Sequence, residues 1–427
     1  MKRPPFHAPL VAVAIALVAC GSDPQEVGVN DEQARTGPEA DGSTPDSSDK
    51  TGPGDSATKD GGTPDTCPLA SGPFELNPAP PKPGSNTMRG HVALAVPANG
   101  PAMVYTQDYF SNGSFYEANL TRLTRSGSGW KEEQVAKEEY GYSIASGLAA
   151  TGGSDPCVAY TDDYDQNLHV RCSSLPDRVV APFDNGSVAM AEVTSGPKQL
   201  VYTNSGTLYW VSVTPDPAPE IIGSAGPFAP SMVVDAAGVP HVAFRDGDGP
   251  GISYATRVGN TWAIEKVDDD VDIGSLAHLH QALVSLRLVG GKPVIAYQHR
   301  GTRSMRLAVK SGSTFTVSTL DAPPVSGSED DLIGEGVALQ VDCMDRLHVV
   351  YHRNVATDPT PNVNLFYARI VDGKITDRQA LPLATTSTLS ASRRASSLAF
   401  VVGKDGRQYV AAELSGISGL ALSYATR

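Results

Sequence analysis

The stretch Met232-Val-Val-Asp-Ala-Ala-Gly-Val-Pro-His-Val-Ala-Phe244 sets the reading of this chain. An apolar run comes first, a turn centred on Gly238 follows, and a second apolar run closes on an aromatic residue, which is the pattern of a β-hairpin. Second runs of the same kind stand at Ala102–Tyr105, Cys157–Tyr160, Gln199–Tyr202, Val294–Tyr297, His348–Tyr351 and, in degenerate form, Tyr409–Ala412. With the opening stretch they make seven units, whose terminal positions are 42 to 61 residues apart.

A polar turn and a third apolar run follow each unit, as in Ile252-Ser-Tyr-Ala and Leu365-Phe-Tyr-Ala. A fourth is clear where Trp130–Val135 and Trp262–Val267 match position by position. Four strands recurring about every 50 residues predict an all-β chain, a seven-bladed β-propeller of four-stranded antiparallel blades, each burying its faces only against its neighbours. The 42 Gly and 33 Pro residues and the few aromatics suit short strands and turns. The seventh unit reaches Arg427 after its third strand. Gly72–Pro78, with Phe74 and Leu76 alternating, is expected to supply the fourth strand, cover the open edge and close the ring.

The repeats resemble those of bacterial propeller proteins built on an apolar strand, an Asp-x-x-Gly-x-Pro-His turn, a Val-Ala-Tyr strand and a Tyr-Ala strand. These are related in shape to the sialidase-like (BNR-type) propellers. The resemblance spans residues 88–427 and implies a fold rather than a chemistry.

The N-terminus predicts export. Lys2 and Arg3 precede the apolar run Leu10–Ala19, which is too short to span a bilayer and reads as a signal-peptide core within residues 1–19. Leu17-Val-Ala-Cys20-Gly21 resembles the lipobox of bacterial lipoproteins. That resemblance implies cleavage before Cys20, lipidation of its thiol and a lasting membrane anchor. Gly21 and Ser22 resemble lipoproteins sorted to the outer membrane, if the cell is Gram-negative. Residues 21–66 carry 11 Asp and Glu against 3 Lys and Arg and almost no large apolar side chains. With lipidated Cys20 they are expected to be a disordered acidic tether, residues 20–66, ahead of a propeller domain at 67–427.

Four further cysteines, Cys67, Cys157, Cys172 and Cys343, show no metal-ligand spacing, and in an oxidising compartment they read as disulfides. Cys157 and Cys172 flank the turn Asp162–Gln166, and antiparallel pairing about that turn sets them opposite each other. Elimination leaves Cys67 with Cys343.

In a propeller, the loops from second to third strand and from fourth strand to the next blade share one face, where ligands commonly bind. Here that face would collect Arg89, His91, Asp162, Asp163, Arg245, Asp246, His299, Arg300, His352, Arg353 and Arg393. Arginines and carboxylates suit acidic or hydroxylated ligands. No motif fixes which of them meet, so catalytic residues stay unassigned. His241 and His348 recur at one structural position, which points to packing or a backbone hydrogen bond rather than to catalysis or a metal. His278 and His280 could ligate a metal with His299, but no carboxylate or third ligand stands at fixed spacing, and no metal site is assigned. Asp162, Asp163 and Asp165 resemble a fragment of a calcium loop, so calcium is the only cofactor suggested. The formal net charge of −14 opposes nucleic-acid binding. The expectation is a monomeric, envelope-anchored binding or scaffold module for a glycan or an envelope protein; the alternative is an extracellular glycoside hydrolase of sialidase-like type.

Overall fold

The second strand of each repeat is the most apolar, and its position explains why. Cys157–Asp162 is buried along its whole length, and Lys292–His299 is buried at every residue but the first. Sheets pack on both faces of these strands, so both sets of side chains must be apolar. The fourth strands Thr261–Asp268 and Thr314–Asp321 instead alternate between exposed and covered residues, with one face toward solvent.

The computed structural model describes residues 70–78, 87–111, 116–138, 144–183, 186–193, 196–226, 228–247, 249–269, 271, 284–324, 332–355, 365–382, 395–414 and 421–427. The signal peptide, Cys20, the tether and Cys67 lie outside these residues. The described strands form a β-propeller of four-stranded antiparallel blades, with seven four-stranded sheets among them. In chain order their inner strands are Thr87–Ala95, Ile144–Thr151, Val188–Ala191, Ser231–Val234, Val284–Val289, Leu332–Val341 and Ala395–Val402. Each inner strand lies against the inner strand of the next sheet, and Ala395–Val402 lies against Thr87–Ala95.

Glu75–Pro78 is the fourth strand of the last sheet. It runs antiparallel to Ala421–Thr426, with Glu75 opposite Thr426 and Leu76 opposite Ala425. Phe74 is buried 5.4 Å from the Tyr367 ring of the preceding sheet. Arg427 fastens this join. Its guanidinium lies 4.1 Å over Tyr367 and 5.2 Å over Phe74, its Nε donates to Gln408 Oε1 at 2.9 Å, and Nη1 donates to Gly72 O at 3.4 Å.

Between third and fourth strands, six sheets carry a register shift, for example between Ile252 and Ser253 and between Met305 and Arg306. Such a bulge turns the end of the fourth strand. Asp268 and Asp321 stand just beyond it and reach the next sheet. Asp268 accepts from Tyr297 OH at 2.6 Å and Arg306 Nη1 at 2.7 Å. Asp321 accepts from Tyr351 OH at 2.8 Å, Arg353 Nε at 3.2 Å and Arg378 Nη1 at 3.3 Å. The terminal Tyr of the repeat is thus an inter-sheet fastener as well as core.

Candidate functional site

The Asp-x-x-Gly-x-Pro-His segment proves to be a structural bracket. Asp235 Oδ1 accepts from the Ala237 and Val239 N–H groups at 2.9 and 2.8 Å, and Gly238 takes φ 83° to close the turn. Asp235 Oδ2 lies 3.5 Å from His241 Nε2, and His241 Nδ1 is 2.5 Å from Tyr254 OH. Two sheets on, Asp342 Oδ2, His348 Nε2 and Nδ1, and Tyr367 OH repeat the chain at 3.0 and 2.7 Å. Burial holds both imidazoles below the usual histidine range despite the carboxylates beside them. For Asp342, burial works against ionisation, but the hydrogen bonds from His348 and the turn outweigh it and hold the carboxyl below its usual range.

The cysteines follow their register. Cys157 is directly opposite Cys172, and the two form a disulfide with Cα atoms 4.0 Å apart. Cys343 is disulfide-bonded as well; Cys67, named from sequence as its partner, lies outside the described residues.

Residues expected on the ligand face fall into several environments. Arg89 stands on the first inner strand opposite Asp108, and Arg393 lies outside the described residues. His91 sits at a register shift with φ 42°, and burial pushes its imidazole down to about 4. Arg245 lies 4.8 Å over the Phe228 ring, while Asp246 pairs with Lys266. Buried Arg353 reaches Asp321 across the sheet boundary. His352 is buried, and Arg300 is half-buried at a turn in which its carbonyl accepts from Arg303 N–H. His299 is also buried; its Nδ1 accepts from Thr302 N–H at 3.0 Å, and its Nε2 has no hydrogen-bond partner.

The carboxylates around Asp162–Asp165 do gather, but with a histidine. One ligand-type atom each from Asp162, Asp165 and His169 lies within 4.8 Å of the others, and half-buried Asp163 is not in the group. Asp162 Oδ1 accepts from Tyr164 N–H at 2.8 Å, and Asp165 Oδ1 from Asn167 N–H at 3.0 Å. His169 bridges Asp165 at 2.9 Å and Asp177 at 3.1 Å. Burial opposes its protonation, yet the Asp177 and Asp165 carboxylates prevail and raise its pKa above the usual histidine value.

A further concavity lies away from these environments, on the axis. A cavity of about 630 Å³ is walled by the inner strands and opens among the turns from first to second strand, the face opposite the one expected from sequence. One register layer crosses it. The inner-strand residues opposite Cys157, Gln199, His241, Val294, His348 and Tyr409 are Thr151, Ala191, Val233, Arg287, Gln340 and Val401, and all six line the cavity. Neighbouring turns meet at the mouth, where Ala98 N–H donates to Gly153 O at 2.7 Å. A Cβ on Gly152 would stand 2.0 Å from Val96 O, so only glycine permits that approach. Glu192, Lys404 and Asp405 rim the opening, and all three are exposed.

Arg287 and Gln340 are the long polar members of the layer. Gln340 Nε2 donates to Phe400 O at 2.6 Å, which turns its Oε1 toward Arg287 Nε at 3.2 Å. Arg287 Nη1 donates to Leu286 O at 2.6 Å. Burial pushes the guanidinium down to about 10, which leaves it cationic near neutral pH. Sequence reasoning did not single out either residue. The available signal was the Arg in Val284-Ser-Leu-Arg-Leu-Val289, a charge at a register position where four other sheets carry Thr151, Ala191, Val233 and Val401.

No protein-family model matches the chain, and no curated protein matches it. Solved structures do resemble it in outline, each at 11% identity. A Dyadobacter fermentans protein of unknown function matches with a TM-score of 0.45, over 80% of this chain and 95% of that one. A catalytically inactive virginiamycin B lyase from Staphylococcus aureus, solved with quinupristin, gives 0.45 over 83% of this chain and 99% of that one. A Trypanosoma rangeli sialidase variant displaying trans-sialidase activity gives 0.41, over 79% of this chain and 54% of that one.

Proposed function

We propose that this chain is an envelope-anchored lipoprotein whose sheets act as one closed seven-bladed ring, a non-catalytic binding module that takes its ligand at the axis. The observation that carries the reading is the axial cavity, walled at one register by six inner strands and holding a cation and an amide among small and apolar side chains. Concave sites in which a few fixed polar groups orient the ligand are the common form of ligand pockets, and Arg287 and Gln340 are such groups here. The described carboxylates whose acidity shifts, Asp177, Asp235 and Asp342, are all held low, the opposite of what a hydrolase demands of its general acid. A glycan is favoured over an envelope protein, because the cavity is recessed and of small-molecule size.

Lipidation of Cys20 supplies the anchor in this reading, and residues 21–66 hold the module away from the bilayer. The test is a glycan array probed with the soluble domain, residues 67–427, alongside fractionation of the Cys20→Ser protein. Saturable glycan binding and release of the variant from membranes are expected. A blank array, or unchanged membrane association with normal processing, would count against the corresponding half of the reading.

A further inference from the structure

We infer that the axial cavity is an oxyanion site, in which the Arg287 guanidinium, held in place by Gln340, receives the acid group of an acidic sugar. The inference deepens the channel-binding reading above and rests on it.

Charge is the first argument. Among the described residues Arg287 bonds to two neutral acceptors, the Gln340 amide oxygen and the Leu286 carbonyl, and no described carboxylate is within 4.0 Å of it. Arg287 is half-buried on the cavity wall, so its charge is only partly solvated there, and an anion entering the cavity would meet it directly. The wall does not need the charge, since four other sheets place Thr151, Ala191, Val233 and Val401 at this register.

Geometry is the second. A guanidinium has five N–H donors, and Nε and Nη1 spend one each on the protein. Both Nη2 hydrogens remain with one on Nη1, a fork suited to two oxygens of one carboxylate, sulfate or phosphate group. The Phe400 carbonyl fixes Gln340, and Gln340 fixes Nε, so the fork is oriented before anything binds. Exposed Glu192 and Asp405 at the mouth can accept sugar hydroxyls while the acid group goes inward. That division of labour is what favours an acidic sugar over a bare ion.

Calorimetry on the mature chain tests this with galacturonate, galactose, acetate and sulfate at millimolar concentration, for the native protein, Arg287→Met and Arg287→Lys. Galacturonate should bind the native protein more tightly than galactose or the simple ions do. Binding should weaken at least about tenfold in Arg287→Lys, which keeps the charge and loses the fork, and disappear in Arg287→Met. Arg287→Met should melt no lower than the native protein, because four other sheets fill the same register without a charge. A fall of several degrees would make Arg287 a structural residue and overturn the inference. So would galacturonate binding that survives Arg287→Met, or no Arg287-dependent binding of any of the three anions. Galactose binding equal in native and Arg287→Met proteins, with no preference for galacturonate, would overturn the oxyanion inference and leave the channel-binding reading standing.

Discussion

Single residues set the pH response of this fold, and His91 does so most strongly. Its folded value near 4 lies below the ordinary 6.5 because burial penalises the imidazolium. Between those values the unfolded chain binds the proton more readily, so the stability from burying the neutral ring is complete above pH 6.5 and is lost as pH falls toward 4. At about 1.36 kcal/mol for each tenfold change in proton affinity, the effect amounts to roughly 3 kcal/mol at most. His241 and His348, also lowered, act in the same direction. His169, raised by its carboxylate neighbours, acts oppositely, which makes the total response a poor test. The difference between native and His91→Asn proteins isolates one residue, and Asn tolerates the positive φ. Melting followed from pH 7 to pH 4 should show a smaller loss in His91→Asn. Equal losses would mean that His91 is not buried as a neutral ring.

At the scale of elements, the segment Phe74–Pro78 has the largest consequence for its length. Four residues pair with Ala421–Thr426 and cover what would otherwise be an open strand edge. Phe74 and Arg427 extend the join to Tyr367 of the preceding sheet. Phe74→Ala should cost roughly 3 kcal/mol, the usual scale for a buried aromatic truncated to a methyl group. Deleting residues 72–78 should do more, lowering the melting temperature and producing higher oligomers through the freed edge in size-exclusion chromatography. A monomer of unchanged stability after that deletion would show that the pairing contributes nothing.

For the whole molecule, the formal charge is spread unevenly along the sequence. Residues 21–66 carry a net −8 (3 minus 11) of the formal −14, and their composition offers little apolar area to bury. A chain of residues 63–427 should therefore melt at the same temperature as one starting at Cys20. A drop of several degrees would show that the acidic stretch packs on the propeller.

What the residues alone determined was periodic and local. Apolar runs ending in Tyr, with Gly and Asp turns between them, set four-stranded sheets because the second strand is buried on both faces and tolerates little else. The Cys157–Cys172 disulfide was legible for the same reason, since hairpin register follows from a short turn. The recurring histidines were legible as one repeated position, but not as members of Asp–His–Tyr chains, because their Tyr partners stand on the third strand. Only the tertiary structure decided what Asp321 and Arg353 do, as they meet across a sheet boundary 32 residues apart. It alone brought Arg287 and Gln340 together, 53 residues apart, at one register of the axis. Each residue looks like an isolated exception in its own strand, and the two become a site only because inner strands from different sheets share one channel wall.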